Sequence, residues 1–217
     1  MLDFDTALAF LGISFLITLA PGPDNLMVLG QSLARGRMAG FGIALGCALG
    51  CFTHTLWAAL GVSAALASSP TAFLALKLAG AAYLAWIGIN ALRHAAAVHL
   101  DAAAPQPPAP WHAYLRRGFI ANAINPKVAL FFLAFLPQFV RPADGAASVQ
   151  MAQLGLLFAA QTVLIFGALA FAAGGIGRLL ARRPGAGAWL DRIAGLLFIG
   201  LALRLVVDDA PLPAAAR

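Results

Sequence analysis

"LAPGPDNL", Leu19–Leu26, sets two prolines, a glycine, an aspartate and an asparagine directly behind an apolar run that begins at Leu8. Proline has no N–H and its ring clashes with the preceding turn, so Pro21, Gly22 and Pro23 open any helix that runs through them. Backbone groups freed in this way are satisfied by water or by protein, but not by lipid. The fold therefore turns on which solvent surrounds the segment.

Composition identifies that solvent. The chain is 62% hydrophobic and 10% charged, has a mean hydropathy of +0.88 and contains no glutamate, far more apolar than a soluble domain of 217 residues needs to be. It reads as an all-α integral membrane protein. A spanning helix takes about 20 mostly apolar residues, and six candidates meet that: Phe4 to Ser32, Ala39 to Ala67, Thr71 to Ala91, Gly118 to Val140, Met151 to Ile176 and Trp189 to Val207. The first is expected to stay in the mature chain. Its start carries Asp3 and Asp5 where a signal peptide carries lysine or arginine, and helix-like sequence resumes after the prolines.

The arginines set the orientation. Arg35 and Arg37, then Arg93, Arg116 and Arg117, then Arg178, Arg182 and Arg183 fall in the first, third and fifth connections, with Arg192 just beyond. Asp3, Asp5, Asp144, Asp208 and Asp209 fall on the other side, offset only by Arg141 and Arg217. By the positive-inside rule both termini are expected outside. The net charge of +6 and pI near 10.4 point to anionic membrane lipid and not to nucleic acid, because the basic residues are parcelled into short loops beside apolar spans.

The connection from His94 to Arg117 contains "APQPPAP" and reads as a cytoplasmic proline-rich linker, 94–117, between a three-helix unit at 1–93 and another at 118–217. The units resemble each other: "KLAGAAYLAWIG" from Lys77 matches "RIAGLLFIGLAL" from Arg192, and Pro23-Asp24 aligns with Pro126-Lys127, each interrupting an apolar run. Three spans per unit turn the second copy upside down. Inverted repeats whose first and fourth helices are broken mark secondary transporters.

At the breaks lie the charges. Asp24 is 11 residues from Arg35 and Lys127 is 10 from Arg117, roughly 16 and 15 Å by helical rise, near the middle of a ~30 Å hydrocarbon core. Charges at that depth are costly unless paired or used. Asp24 reads either as a substrate or proton-coupling group or as a cap on the helix that restarts at Pro23. Lys127 reads as a substrate contact, as the structural partner of Asp24 or as a side chain snorkelling towards the cytoplasmic face. Asn25, Asn122 and Asn125 flank the breaks and suit freed backbone groups. His54, between Thr53 and Thr55, lies about 22 Å along the second span, with Gln161 and Thr162 loosely opposite by the repeat. It is either a satisfied interior histidine or part of a proton relay. Gly42, Gly46 and Gly50 are spaced for close helix packing.

The stretches "PGPDNLMVLGQSLARGRMAGFGIALG", "KLAGAAYLAWIG" and "GFIANAINPKVALFFLAFLPQF" resemble the LysE/RhtB superfamily of bacterial amino-acid exporters, and the resemblance covers nearly the whole chain. It implies a six-span carrier of the bacterial inner membrane, homo-oligomeric, that moves amino acids out of the cytoplasm on an ion gradient, here expected to be protons. It implies no enzyme and no cofactor. With Asp24 as the single deep carboxylate, Lys127 set to repel a cationic side chain and the other deep polar groups neutral, the expected substrates are neutral amino acids such as threonine, homoserine or small aliphatics. A rival reading takes Cys47, Cys51 and His54, at i, i+4 and i+7, as soft ligands of a cadmium or zinc exporter. Three ligands on one helix leave a metal shell incomplete, so no metal site is expected.

Overall fold

The computed structural model describes residues 2–62, 70–93, 109–182 and 185–207, and it breaks the first helix where the prolines stand. Helix α1 (Phe4–Leu19) ends at Ala20, held at ψ 127° by the proline that follows, and α2 (Pro23–Arg35) restarts with proline at its first position after an extended Gly22. The two axes meet at 59°. Gly36, at φ 89°, turns the chain tightly into α3 (Arg37–Trp57), which continues as a π turn over Ala58–Val62. Helix α4 is Pro70–Arg93.

The second break repeats the chemistry of the first. Helix α5 (Trp111–Ala123) stops before Asn125, which is extended at ψ 111° because Pro126 follows it. Helix α6 (Pro126–Leu130) then runs on through a π turn (Phe131–Phe135) and a 3-10 turn (Leu136–Phe139). This pair bends by 50°. Helices α7 (Ala147–Arg182) and α8 (Gly185–Val207) complete the chain. Arg37–Gly61 and Ala147–Leu179 are each long and apolar enough to cross a bilayer, and each bent pair qualifies when taken as one span. Helices α4 and α8, with 24 and 23 residues, have the length of a crossing.

Two boundaries differ from the sequence reading. Helix α5 begins at Trp111, inside the stretch read as linker, so Arg116 and Arg117 sit on the helix. Helix α7 runs to 36 residues, roughly 54 Å, beyond both ends of its apolar window. A helix ends where its backbone loses partners, not where hydropathy falls. The linker's 94–108, with its "APQPPAP", lies outside the described residues, as do 63–67 of the second expected span.

Contact registers give the relative directions. Phe10 meets Phe158, Ser14 meets Gln161 and Leu33 meets Gly177, so α1–α2 and α7 run the same way. Thr55 meets Gly155 while Phe41 meets Gly167 and Phe171, so α3 opposes α7. Gly42 faces Tyr114, Gly46 faces Leu115 and Gly118, and Gly50 faces Asn122, so α5 runs with α3 and against α1. Gly80 approaches Leu205 while Gly88 packs on Gly195, so α4 and α8 are antiparallel. The expected close packing at Gly42, Gly46 and Gly50 is present: a Cβ at Gly46 would strike the backbone of Leu115.

The interior is built from rings. Phe10, Phe131, Phe132, Phe135 and Phe158 interlock around Leu84, Leu136 and Phe198, with centroids 4.9–6.5 Å apart among the paired rings. Leu8, Phe52, Trp57, Leu164, Trp189 and Leu203 point outward instead. A shell of that kind is a liability in water and the normal exterior of a chain in lipid.

Candidate functional site

The two breaks carry the polar interior. Asp24 is 3% exposed in the first turn of α2, where the helix dipole favours its charge. Its Oδ2 accepts a hydrogen bond from Asn122 Nδ2 at 2.8 Å. Its Oδ1 is buried with no hydrogen-bond partner among the described residues. A carboxylate of which one oxygen is served and the other left open stands ready for a cation or a proton.

Lys127 lies in the first turn of α6 and is also buried, yet it makes no ion pair with Asp24. Its Nζ donates to the carbonyls of Ala20 at 3.0 Å and Ile17 at 3.3 Å, at the cut end of α1, with the Phe198 ring 5.8 Å away. Asn25 serves the same end, donating from Nδ2 to Thr18 O at 2.9 Å while its Oδ1 stays open. The pairing of Asp24 with Lys127 anticipated from depth alone is replaced by a lysine on backbone carbonyls and an aspartate on an amide. A broken helix exposes carbonyls at its negative pole, and these compete for the ammonium.

His54 finds its partner across the second break. Its Nε2 lies 2.8 Å from Asn122 O, near the end of α5, with its ring 5.8 Å from that of Phe132. A carbonyl only accepts, so Nε2 carries the proton. Asn122 thus joins both groups, its backbone to His54 and its side chain to Asp24. Gly50 is the floor beneath it: a Cβ there would lie 2.8 Å from both Asn122 Cβ and Asn122 Oδ1. Asn125 caps α6, its Oδ1 accepting from Lys127 N at 3.0 Å, and its Nδ2 is left open.

Gln161 sits apart from these, on α7 against α1, where Ser14 Oγ reaches its Oε1 at 3.2 Å and Leu11 O at 3.1 Å. One hydroxyl proton serves one acceptor at a time, and Gln161 Nε2 has no partner. Thr162 beside it bonds its own helix at Phe158 O. Sequence reasoning missed Ser14, although Ser14 and Thr18 are four apart and form a polar stripe on an apolar helix. The prolines announce freed carbonyls at this break, but sequence reasoning did not assign those of Ile17 and Ala20 to Lys127.

Cys47 and Cys51 are fully buried free thiols, with Cys51 Sγ donating to Cys47 O at 3.3 Å. Among the described residues no three histidine, cysteine, aspartate or glutamate side chains form a group able to hold a metal.

Two bent helices converging on buried charges, within a shell of outward-facing leucine, phenylalanine and tryptophan, define a multi-pass α-helical membrane protein with a polar interior. The chain belongs to the LysE type translocator family, whose model matches residues 15–209. It is 33% identical to an uncharacterized membrane protein of Pseudomonas aeruginosa over 90% of this chain and 91% of that one. It is 30% identical to an uncharacterized membrane protein of Vibrio cholerae over 96% and 100%, and 27% identical to a leucine efflux protein of an Enterobacter species over 88% and 90%. No solved structure gives a significant match.

Proposed function

We propose that the protein exports neutral amino acids from the cytoplasm through the bacterial inner membrane, by proton antiport. The observation that carries this reading is the open, buried Oδ1 of Asp24 at the first helix break. In the proposed cycle an amino acid enters from the cytoplasm and its ammonium group meets that oxygen. Its carboxylate faces the N–H groups that the first turn of α2 leaves without intrahelical acceptors, together with Asn125 Nδ2. Proton entry from outside then neutralises Asp24, weakens its hold on the ammonium and lets the substrate leave.

The remaining parts follow from this scheme. The α1–α2 and α5–α6 pairs belong to two inverted three-helix repeats, six spans in all, with both termini outside. Asn25 and Asn122 orient the polar groups, His54 and Lys127 hold the helix ends, and Gln161 with Ser14 forms a polar station further along α1. The membrane-embedded protein assembles as a homo-oligomer.

Substrate class follows from what faces the breaks. Asp24 is the only carboxylate there among the described residues, so a second positive charge in lysine or arginine has no counter-charge and costs at least about 2.5 kcal/mol near the bilayer centre. Val128, Phe131, Phe132 and Phe198 surround the breaks with apolar surface, and the relatives named leucine efflux proteins support the aliphatic end of the neutral set over threonine and homoserine. The test is efflux of labelled leucine, threonine, homoserine and lysine from vesicles reconstituted with the purified protein under an imposed pH gradient. Gradient-driven efflux of a neutral amino acid is expected. Lysine alone moving, or efflux indifferent to the gradient, overturns the reading.

A further inference from the structure

A helix cut inside a membrane leaves carbonyls that no backbone N–H of its own helix reaches. At the cut end of α1, Lys127 Nζ takes those of Ile17 and Ala20 and Asn25 takes that of Thr18. Lys127 belongs to α6, beyond the second break, so these bonds tie the second half of the chain to the open end of the first. At the second break His54 from the first half reaches the Asn122 carbonyl, which also accepts the Asn125 N–H at 2.9 Å. Gly22 leaves room beside the ammonium. A Cβ there would lie 2.8 Å from Lys127 Nζ and 3.4 Å from Cε. Its φ of −175° is extended backbone open to any residue, so a methyl there would act by crowding the tip of the Lys127 side chain, which would have to shift.

We infer that Lys127 is a positioning residue whose ammonium clasps the cut end of α1 across the two halves, and that release of this clasp accompanies the bending of α1 against α2. An ammonium suits the task because it donates three bonds and accepts none, so carbonyls are its natural partners. Its flexible stem lets it leave and return, and the negative pole of α1 adds attraction that a neutral donor lacks. This inference goes beyond the transport scheme, and its first readout needs no amino acid.

The experiment introduces Ala20→Cys, at a position 4% exposed, into a background carrying Cys47→Ala and Cys51→Ala. Vesicles are labelled with a membrane-impermeant maleimide from either side, without substrate. Adding Gly22→Ala or Lys127→Met is expected to speed labelling from one side about tenfold, as expected for loss of one charge-assisted hydrogen bond. Binding of the transported amino acid to purified Gly22→Ala protein should stay within about threefold, while net efflux falls about tenfold. Unchanged labelling in both variants overturns the clasp. Lost binding with unchanged labelling makes Lys127 a substrate ligand instead. If Lys127→Met does not reach the membrane, Gly22→Ala decides, since it retains every charged and polar side chain. If no amino acid binds the unaltered protein, the transport scheme fails while the labelling still tests the clasp.

Discussion

Gly50→Ala separates the shape of the site from its charges. The added methyl would lie 2.8 Å from Asn122 Cβ, 2.8 Å from Asn122 Oδ1 and 3.0 Å from the backbone oxygen of Phe119, where ordinary contact begins at 3.4 Å. The backbone oxygen cannot rotate away, so α5 must back off α3 and carry Asn122 with it. A shift of that size lengthens the 2.8 Å bond from Asn122 Nδ2 to Asp24 Oδ2 past the usual range of about 2.7–3.2 Å and weakens it. A hydrogen bond to a charged group contributes about 1.5–3 kcal/mol, so losing part of it should cost the site up to about 10-fold in apparent affinity. Overpacking adds about 1–3 kcal/mol of destabilisation, partly offset by the ~0.5–1 kcal/mol that alanine gains over glycine in a helix. Gly30→Ala supplies the control, because nothing lies within 4 Å of a Cβ there and only the helix gain remains. The assay pairs initial efflux rate against internal substrate concentration with a thermal melt of the purified protein. Gly50→Ala with the affinity and maximal rate of the unaltered protein would refute the view that Asn122 positions Asp24.

Asp24→Asn should reach the membrane in normal amount, judged by blotting of membrane fractions, and lose gradient-driven efflux about 100-fold or more, because the amide neither titrates nor balances an ammonium. Full activity would remove Asp24 from the site. Cys47→Ala with Cys51→Ala should leave amino-acid efflux within about twofold, since both thiols are packing groups; cadmium tolerance lost with this variant, in cells that export no amino acid, would favour the metal reading. In vesicles loaded with labelled leucine, excess unlabelled threonine or homoserine should slow its efflux more than lysine or arginine does, and the reverse order would defeat the neutral-substrate assignment.

The sequence by itself determined the solvent and the breaks, and it set an expected depth for the charges. The breaks follow from local chemistry: proline disfavours the helical region for the residue before it, so Ala20, Gly22 and Asn125 adopt extended conformations, whereas Leu136 before Pro137 stays helical. Partners were another matter. Depth places Asp24 and Lys127 at one level and invites an ion pair, but depth is one coordinate and pairing needs three. Only the crossing of the two bent helices brings the Lys127 ammonium to the end of α1, where carbonyls freed by the first break receive it, and brings Asn122 to Asp24. Those acceptors are backbone atoms common to every residue, so the prolines announce the freed carbonyls but not the side chain that meets them. The same holds for His54, whose acceptor is a main-chain oxygen 68 residues away. Tertiary structure decided which groups are satisfied and which remain open, and the open oxygen of Asp24 is among the latter.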